Sequence, residues 1–118
     1  MHIEEFREYC LQKIAVTESF PFGEDTLVFK VMNKMFALTG LKGEFRINLK
    51  CDPEEALELR EKYPAVIPGY HMSKKHWNTI VVESLLDDDL IYKWIDDSYN
   101  LIVDSLPKKT QEDLKAKT

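Results

Sequence analysis

The chain has 118 residues, of which 44% are hydrophobic and 31% are charged, and its formal net charge is −5 at pH 7. This length suits one domain, residues 1–118, built around one hydrophobic core. No apolar run approaches the ~20 residues of a membrane helix, and the first residues do not follow the basic-then-apolar pattern of an export signal, so we expect a soluble, cytoplasmic protein.

The first 26 residues predict one helix and one connection. Apolar residues recur at helical spacing over residues 2–15: Ile3, Phe6, Cys10 and Ile14. Residues 17–26 contain Phe20-Pro21-Phe22-Gly23, which combines two aromatic residues with two breakers of regular structure. We expect this connection to cover one end of the core.

Three strands are predicted next, at residues 27–32, 35–39 and 44–50. A turn at Asn33-Lys34 separates the first two, and a turn at residues 40–43 precedes the third. In the third strand Phe45, Ile47 and Leu49 alternate with Glu44, Arg46, Asn48 and Lys50. Such alternation indicates an antiparallel strand with one buried and one solvated face.

The second half predicts two helices with strand residues between them. Asp52 precedes Pro53 as a helix cap, and this helix is expected to end near Tyr63. Residues 66–68 and 79–83 are rich in β-forming residues. Three acidic residues from Asp87 open the longest helix, which runs to about Leu106, and Thr110 is expected to cap a short terminal helix.

The predicted order, α-β-β-β-α-β-α with one or two strands before the last helix, indicates an α+β fold. We expect a two-layer sandwich in which helices cover one face of an antiparallel sheet. The other face would then present Lys30, Arg46, Asn48 and Lys50.

The two cysteines, Cys10 and Cys51, do not form a Cys-x-x-Cys pair. Because the chain also shows no export signal, we expect two reduced, half-buried thiols rather than a disulfide.

Charge is unevenly distributed along the chain. Residues 30–76 carry 9 basic and 6 acidic side chains, a net +3, whereas residues 1–29 and 77–118 are each net −4. A basic middle can bind an anion through one face, because the local field decides short-range contacts. The acidity of the whole chain argues against strong nonspecific binding of nucleic acid.

Residues Pro68–Thr79, here named the His-Lys segment, are the main candidate for a functional surface. The segment contains His71, Lys74, Lys75, His76 and Trp77. In one interpretation the lysines and histidines bind an anion and Trp77 stacks on a base. In the other, the histidines bond backbone carbonyls and Trp77 fills the edge of the core.

Other kinds of site find little support in the sequence, and we expect no cofactor. A spacing of five does not place His71 and His76 on one helical face, so no metal site is predicted. The acids Glu4, Glu5 and Glu8 of the first helix are interpreted as a solvated face rather than a metal site. No phosphate loop, dinucleotide fingerprint or nucleophile elbow is present, so no catalytic residue is assigned.

Five motifs, spread in order over nearly the whole chain, resemble those of the MmcQ/YjbR family. They are Phe20-Pro21-Phe22-Gly23, Val28-Phe29-Lys30-Val31, Ile47-Asn48-Leu49-Lys50, the His-Lys segment and Asp97-Ser98-Tyr99. The resemblance implies a CyaY/frataxin-like fold and a DNA-binding protein with a double-wing motif. It implies no catalytic residues.

Three functional hypotheses follow. In the first, the chain binds DNA: cations neutralise phosphates while His71, His76 and Trp77 position or stack. The cations are Lys30, Lys34, Arg46, Lys50, Lys74 and Lys75. In the second, the same segment forms a pocket for a small anion or metabolite, with or without catalysis. In the third, an acidic helix binds a protein partner.

Overall fold

The computed structural model describes residues 1–69, 72–82 and 85–117. These residues form four helices and six strands. They are α1 (Ile3–Leu11), β1 (Val16–Ser19), β2 (Thr26–Val31), β3 (Lys34–Gly40), β4 (Arg46–Lys50), α2 (Pro53–Lys62), β5 (Val66–Pro68), β6 (Trp77–Val81), α3 (Asp88–Asp104) and α4 (Lys108–Ala116). No helix in the described ranges is long and apolar enough to cross a membrane.

The strands form one antiparallel sheet in the order β1-β2-β3-β4-β6-β5. The first four strands follow one another as neighbours. After β4 the chain passes through α2 to the far edge, and β6 returns to pair with β4. The β2–β3 turn has two residues, Met32 and Asn33, both with positive φ, which is typical of a tight hairpin turn.

The helices pack against one face of this sheet and form the core with it. Alternate residues of β2 and β4, such as Phe29 and Ile47, share this core with Phe6 of α1 and Ile95 of α3. The rings of Phe6 and Phe29 meet edge to face, with centroids 5.4 Å apart. The predicted α+β architecture, with helices on one face, is therefore confirmed.

A bulge in β3 is joined to α3 by one buried hydroxyl. Phe29 pairs with Ala37 and Lys30 with Met35, so Phe36 is an extra residue without a partner on β2. The Ser98 hydroxyl donates to the Phe36 carbonyl at 2.6 Å and accepts from the Lys50 backbone N–H at 2.9 Å. Bulges leave backbone groups outside the strand ladder, and here Ser98 pairs with one of them.

The first part of the chain differs from prediction, because α1 ends at Leu11 and residues 16–19 form an edge strand rather than a connection. Only four residues long, β1 gives too short an alternation to detect. Its pairing with β2 supplies main-chain hydrogen bonds, and Arg7 of α1 holds Glu18 with two hydrogen bonds of 2.7 and 2.6 Å.

The last part of the chain also departs from prediction in its boundaries. Strand β6 begins at Trp77 rather than at residue 79, because Trp77 and Asn78 pair with the end of β4. Pro107, not Thr110, is the cap position of α4. The observed order, α-β-β-β-β-α-β-β-α-α, therefore has more elements than the predicted CyaY/frataxin-like order, and that finer likeness stays a prediction.

Both cysteines are free, in agreement with the expected reduced thiols. Cys10 is fully buried in the core, whereas Cys51 is half-buried after β4. Burial raises the pKa of Cys10. Burial, together with the nearby acids Glu55, Asp52 and Asp97, raises the pKa of Cys51 to about 12.

We predict that Ser98→Ala destabilises the protein by about 1–3 kcal/mol, because it leaves a buried carbonyl and a partly buried N–H without this partner. Urea unfolding measures the loss. The matched control is Ser105→Ala, which removes the hydroxyl of an exposed residue that donates to the Ile102 carbonyl at the end of α3 and should cost less than about 0.5 kcal/mol. Equal stability of Ser98→Ala and wild type would contradict the proposed attachment.

We also predict slow alkylation of both thiols in the folded protein. The thiolate is the reactive form, so a pKa of about 12 for Cys51 leaves only about one thiolate in ten thousand at pH 8. Labelling with iodoacetamide, followed by mass spectrometry, should modify Cys51 slowly and Cys10 only after unfolding. Rapid labelling of Cys10 without denaturant would contradict the prediction and show that the helix layer opens readily.

Candidate functional site

The face of the sheet opposite the helices carries a groove with a volume of about 550 Å³. We name it the open-face groove. Its lining combines strand residues with residues of two loops. The lining residues are Phe22, Thr26, Met35, Leu38, Gly40, Glu44, Arg46, Asn48, Met72, Ser73 and Thr79.

Strand pairing places the floor of the open-face groove. Leu38 pairs with Asn48, and Asn48 pairs with Thr79, so these three side chains lie side by side on neighbouring strands. The Thr79 hydroxyl donates to the Asn48 amide oxygen at 2.5 Å. This leaves the Asn48 nitrogen as a hydrogen-bond donor in the floor.

The apolar part of the floor belongs to a second, smaller hydrophobic cluster. Val28, Leu38 and Trp77 are buried there, and Met35 and Met72 pack against them. The Trp77 side chain is only 8% exposed. This burial matches the packing that one of the two interpretations expects of Trp77, and its stacking role stays a prediction.

The rim of the groove carries an exposed aromatic ring on one side and a loop on the other. Phe22, in the β1–β2 connection, is 64% exposed. Met72 and Ser73 come from the His-Lys segment. Removing a large apolar side chain from water lowers the free energy. A ligand that covers Phe22 would therefore bind more tightly because of that contact.

The His-Lys segment is held in place by Arg60 of α2. The Arg60 Nε donates to the Asn78 side-chain oxygen at 2.6 Å, and Nη2 donates to the carbonyls of Lys74 and Trp77. Ser73 closes the segment further, since its carbonyl accepts from the backbone N–H groups of His76 and Trp77. The groove wall at Ser73 is therefore anchored to the helix layer.

Gly69 is required at the beginning of the same segment. Its backbone N–H donates to the Trp77 carbonyl at 2.9 Å. A Cβ atom at this position would lie 2.8 Å from the Trp77 Cβ and 2.9 Å from the Trp77 carbonyl oxygen. Because these distances are shorter than van der Waals contact, any larger residue would push the segment away from β6.

One ion pair lies at the polar end of the groove. Arg46 donates to Glu44 from Nε at 3.3 Å and from Nη2 at 3.1 Å, and both bonds end on the same oxygen, Oε2. The Thr39 hydroxyl donates to the Arg46 carbonyl at 2.7 Å, which fixes the backbone of Arg46. The charges of these two lining residues offset each other.

The predicted phosphate-binding cations are distributed over several surfaces. Lys30 pairs with Met35 on the open face, but Lys34 pairs with Val31, a core residue, and so belongs to the helix-covered face. Lys50 lines a separate cavity of about 300 Å³ between α2 and α3. Of the predicted cations, Arg46 alone lines the open-face groove.

Three residues of the His-Lys segment, Lys74, Lys75 and His76, do not line the groove. Lys74 and Lys75 line a small cavity against α2. His76 is exposed, and its carbonyl accepts from the Cys51 N–H at 2.8 Å. His71 lies outside the described residues. The predicted cations are thus divided among several surfaces in the described part of the chain, and the binding roles of these residues stay predictions.

The apolar residues of the groove were missed by the sequence reasoning. A usable signal was present, because Leu27-Val28-Phe29 and Phe36-Ala37-Leu38 are uninterrupted apolar runs. Such runs indicate strands with apolar side chains on both faces. The contributions of Phe22 and Met72 come from distant loops and have no comparable signal in the sequence.

The chain is similar in sequence to two proteins of Escherichia coli over nearly its whole length. It is 39% identical over 110 residues to the uncharacterized protein YbdF of Escherichia coli O157:H7, covering 92% of this chain and 90% of that protein. It is 31% identical over 113 residues to the uncharacterized protein YjbR of Escherichia coli K12, covering 95% of this chain and 96% of that protein.

A solved structure agrees with these matches. The crystal structure of a Deinococcus radiodurans protein with a DUF419 domain superimposes with a TM-score of 0.89 at 35% identity, covering 96% of this chain and 87% of that one. The YjbR family profile matches residues 11–101. On these matches, the chain belongs to the MmcQ/YjbR family.

Proposed function

We propose that this protein is a binding module that takes a small, largely apolar molecule in the open-face groove. The observation that carries the proposal is the groove itself, with its volume of about 550 Å³. Small-molecule sites are typically concave, of roughly 300–1,000 Å³, and mostly apolar with a few placed polar groups. The floor of Leu38 and Met35 with Asn48 and Arg46 at one end fits that description.

The groove is better suited to a small molecule than to a polyanion. Among the residues that the structure describes, its lining holds one cation and one anion, Arg46 and Glu44, which are paired with each other. A surface that tracks DNA phosphates is typically basic along its length. A small ligand with an apolar body needs only shape, apolar contact and one or two polar partners.

DNA binding is the second candidate. It is favoured by exposed lysines at Lys34, Lys74 and Lys75, none of which has an ion-pair partner among the described residues. The motif resemblance to a DNA-binding, double-wing family points the same way. Because Lys34 and the Lys74-Lys75 pair lie on different surfaces, we expect such binding to be weak and to involve few phosphates at once.

We predict that a panel of small apolar acids, amides and amines raises the melting temperature of the wild-type protein. A ligand at a hundredfold excess over its dissociation constant should stabilise the folded state by about 2.7 kcal/mol. Ser73→Trp should remove the shift, because it places a large ring at the groove rim.

The matched control for this screen is Lys75→Trp, which adds the same ring at an exposed position outside the groove. Equal shifts in both variants would place the ligand elsewhere on the protein. Failure of the whole panel to shift wild type would overturn the proposal for this ligand class.

For the DNA alternative, we predict that Lys74→Gln with Lys75→Gln lowers affinity and flattens its salt dependence. Each phosphate contact contributes about 0.9 to the log–log slope, so the double variant should lose about 2. Fluorescence anisotropy at several salt concentrations measures this. The control is the double variant Lys108→Gln with Lys109→Gln, which removes the same amount of charge at the start of α4, away from the His-Lys segment. No binding at micromolar protein, or equal slopes for both double variants, would exclude the alternative.

A further inference from the structure

We infer that the ligand of the open-face groove is a monocarboxylate with an apolar body, and that Arg46 binds its carboxylate in place of Glu44. The inference rests on the proposed function of the groove and specifies its ligand class. In the absence of ligand, Glu44 is an internal carboxylate that occupies the binding position at the Arg46 guanidinium, and the ligand displaces it.

The geometry of the Arg46–Glu44 pair shows why an external carboxylate can compete. Both guanidinium bonds end on the one oxygen Oε2, at 3.3 and 3.1 Å. Guanidinium binds carboxylate best through two parallel bonds, one to each oxygen. Glu44 stands two residues before Arg46, so the short tether restricts its approach. A free carboxylate has no tether and can align both of its oxygens with the fork.

Glu44 is also easily displaced. Its side chain is 54% exposed and that of Arg46 is 45% exposed, and exposed ion pairs contribute little to stability. Gly40, at the end of β3, and the next four residues, 41–44, are all exposed. Once released, the Glu44 carboxylate can be solvated by water without any buried group losing a partner.

Arg46 is held where a ligand head group would be needed. Its carbonyl accepts the Thr39 hydroxyl at 2.7 Å, and its backbone pairs with Val81 of β6. Asn48 lies two residues further along β4, on the same face of the sheet. Its side-chain oxygen accepts from the Thr79 hydroxyl, so its side-chain nitrogen is a second donor. Two donors at one end of the groove suit an acceptor such as a carboxylate.

The charge of the lining favours a single negative charge on the ligand. Arg46 is the one cation that lines the groove in the described ranges, and Glu44 stays nearby after displacement. A phosphate monoester dianion would face repulsion from Glu44, and no second cation among the described lining residues offsets it. An ammonium group would face the guanidinium instead.

The rest of the groove accommodates the apolar body. Leu38, Met35 and Met72 form a continuous apolar surface beyond Asn48, and Phe22 adds an exposed ring at the rim. Methionine side chains adapt to ligands of different shape because they are unbranched and flexible. The site is therefore expected to select for the carboxylate and to tolerate variation in the body.

Isothermal titration calorimetry with four probes tests the inference: 4-phenylbutyrate, 4-phenylbutanamide, 4-phenylbutylamine and phenyl phosphate. We expect wild type to bind 4-phenylbutyrate at least tenfold more tightly than the other three. Arg46→Gln should lower the affinity for 4-phenylbutyrate at least tenfold, and Arg46→Lys should lower it less. Glu44→Gln should raise this affinity roughly threefold to tenfold, because the competing carboxylate is gone. Circular dichroism establishes that each variant is folded.

The neighbouring ion pair of Asp25 and Lys42, 3.4 Å apart, provides a matched control, since neither residue lines the groove. Asp25→Asn and Lys42→Gln change the same charges and should leave the affinity for 4-phenylbutyrate unchanged. If the amide binds as well as the acid, or Glu44→Gln does not tighten binding, the inference is overturned while the groove remains a small-molecule site. If wild type binds none of the four probes, both the inference and the proposed function fall for ligands of this size.

Discussion

The buried hydroxyl of Ser98 connects the long helix α3 to two central strands at once, through the Phe36 carbonyl and the Lys50 N–H. The contact lies on the helix-covered side of the sheet, at the bulge in β3. The bulge places the Phe36 ring in the core, while Met35 and Leu38 lie on the other face. Because the bulge adds one residue to β3, it decides which side chains of this strand face the groove.

The uncovered face is unusual in being apolar at its centre. Val28, Leu38 and Trp77 are buried there with support from Met35 and Met72, although the described part of the chain places no helix over them. The His-Lys segment covers part of this surface, and the rest forms the groove. The proposed recognition of a ligand by apolar contact and one charged anchor rests on this composition.

Arg60 relates the helix layer to the groove wall. It reaches from α2 to the side chain of Asn78 and to the carbonyls of Lys74 and Trp77. One guanidinium thus satisfies backbone groups in a segment with little regular structure, where unpaired carbonyls would be costly. The wall near Ser73 is consequently held by hydrogen bonds, and the lysines that follow point to a different surface from the groove.

The sequence by itself determined the fold class, the three strands β2 to β4, the capped helix α2 and the long helix α3. Periodicity and capping act over a few residues and are therefore legible without a structure. Alternation also placed Arg46 correctly on the open face. Tertiary structure alone decided that β1 is a strand, that Trp77 is buried and that Lys34 shares the face of Val31. A four-residue edge strand such as β1 is stabilised by pairing with its neighbour. A bulge reverses the face on which the preceding residues of the strand lie, as it does for Lys34. A groove forms only where loops that are distant in the sequence meet.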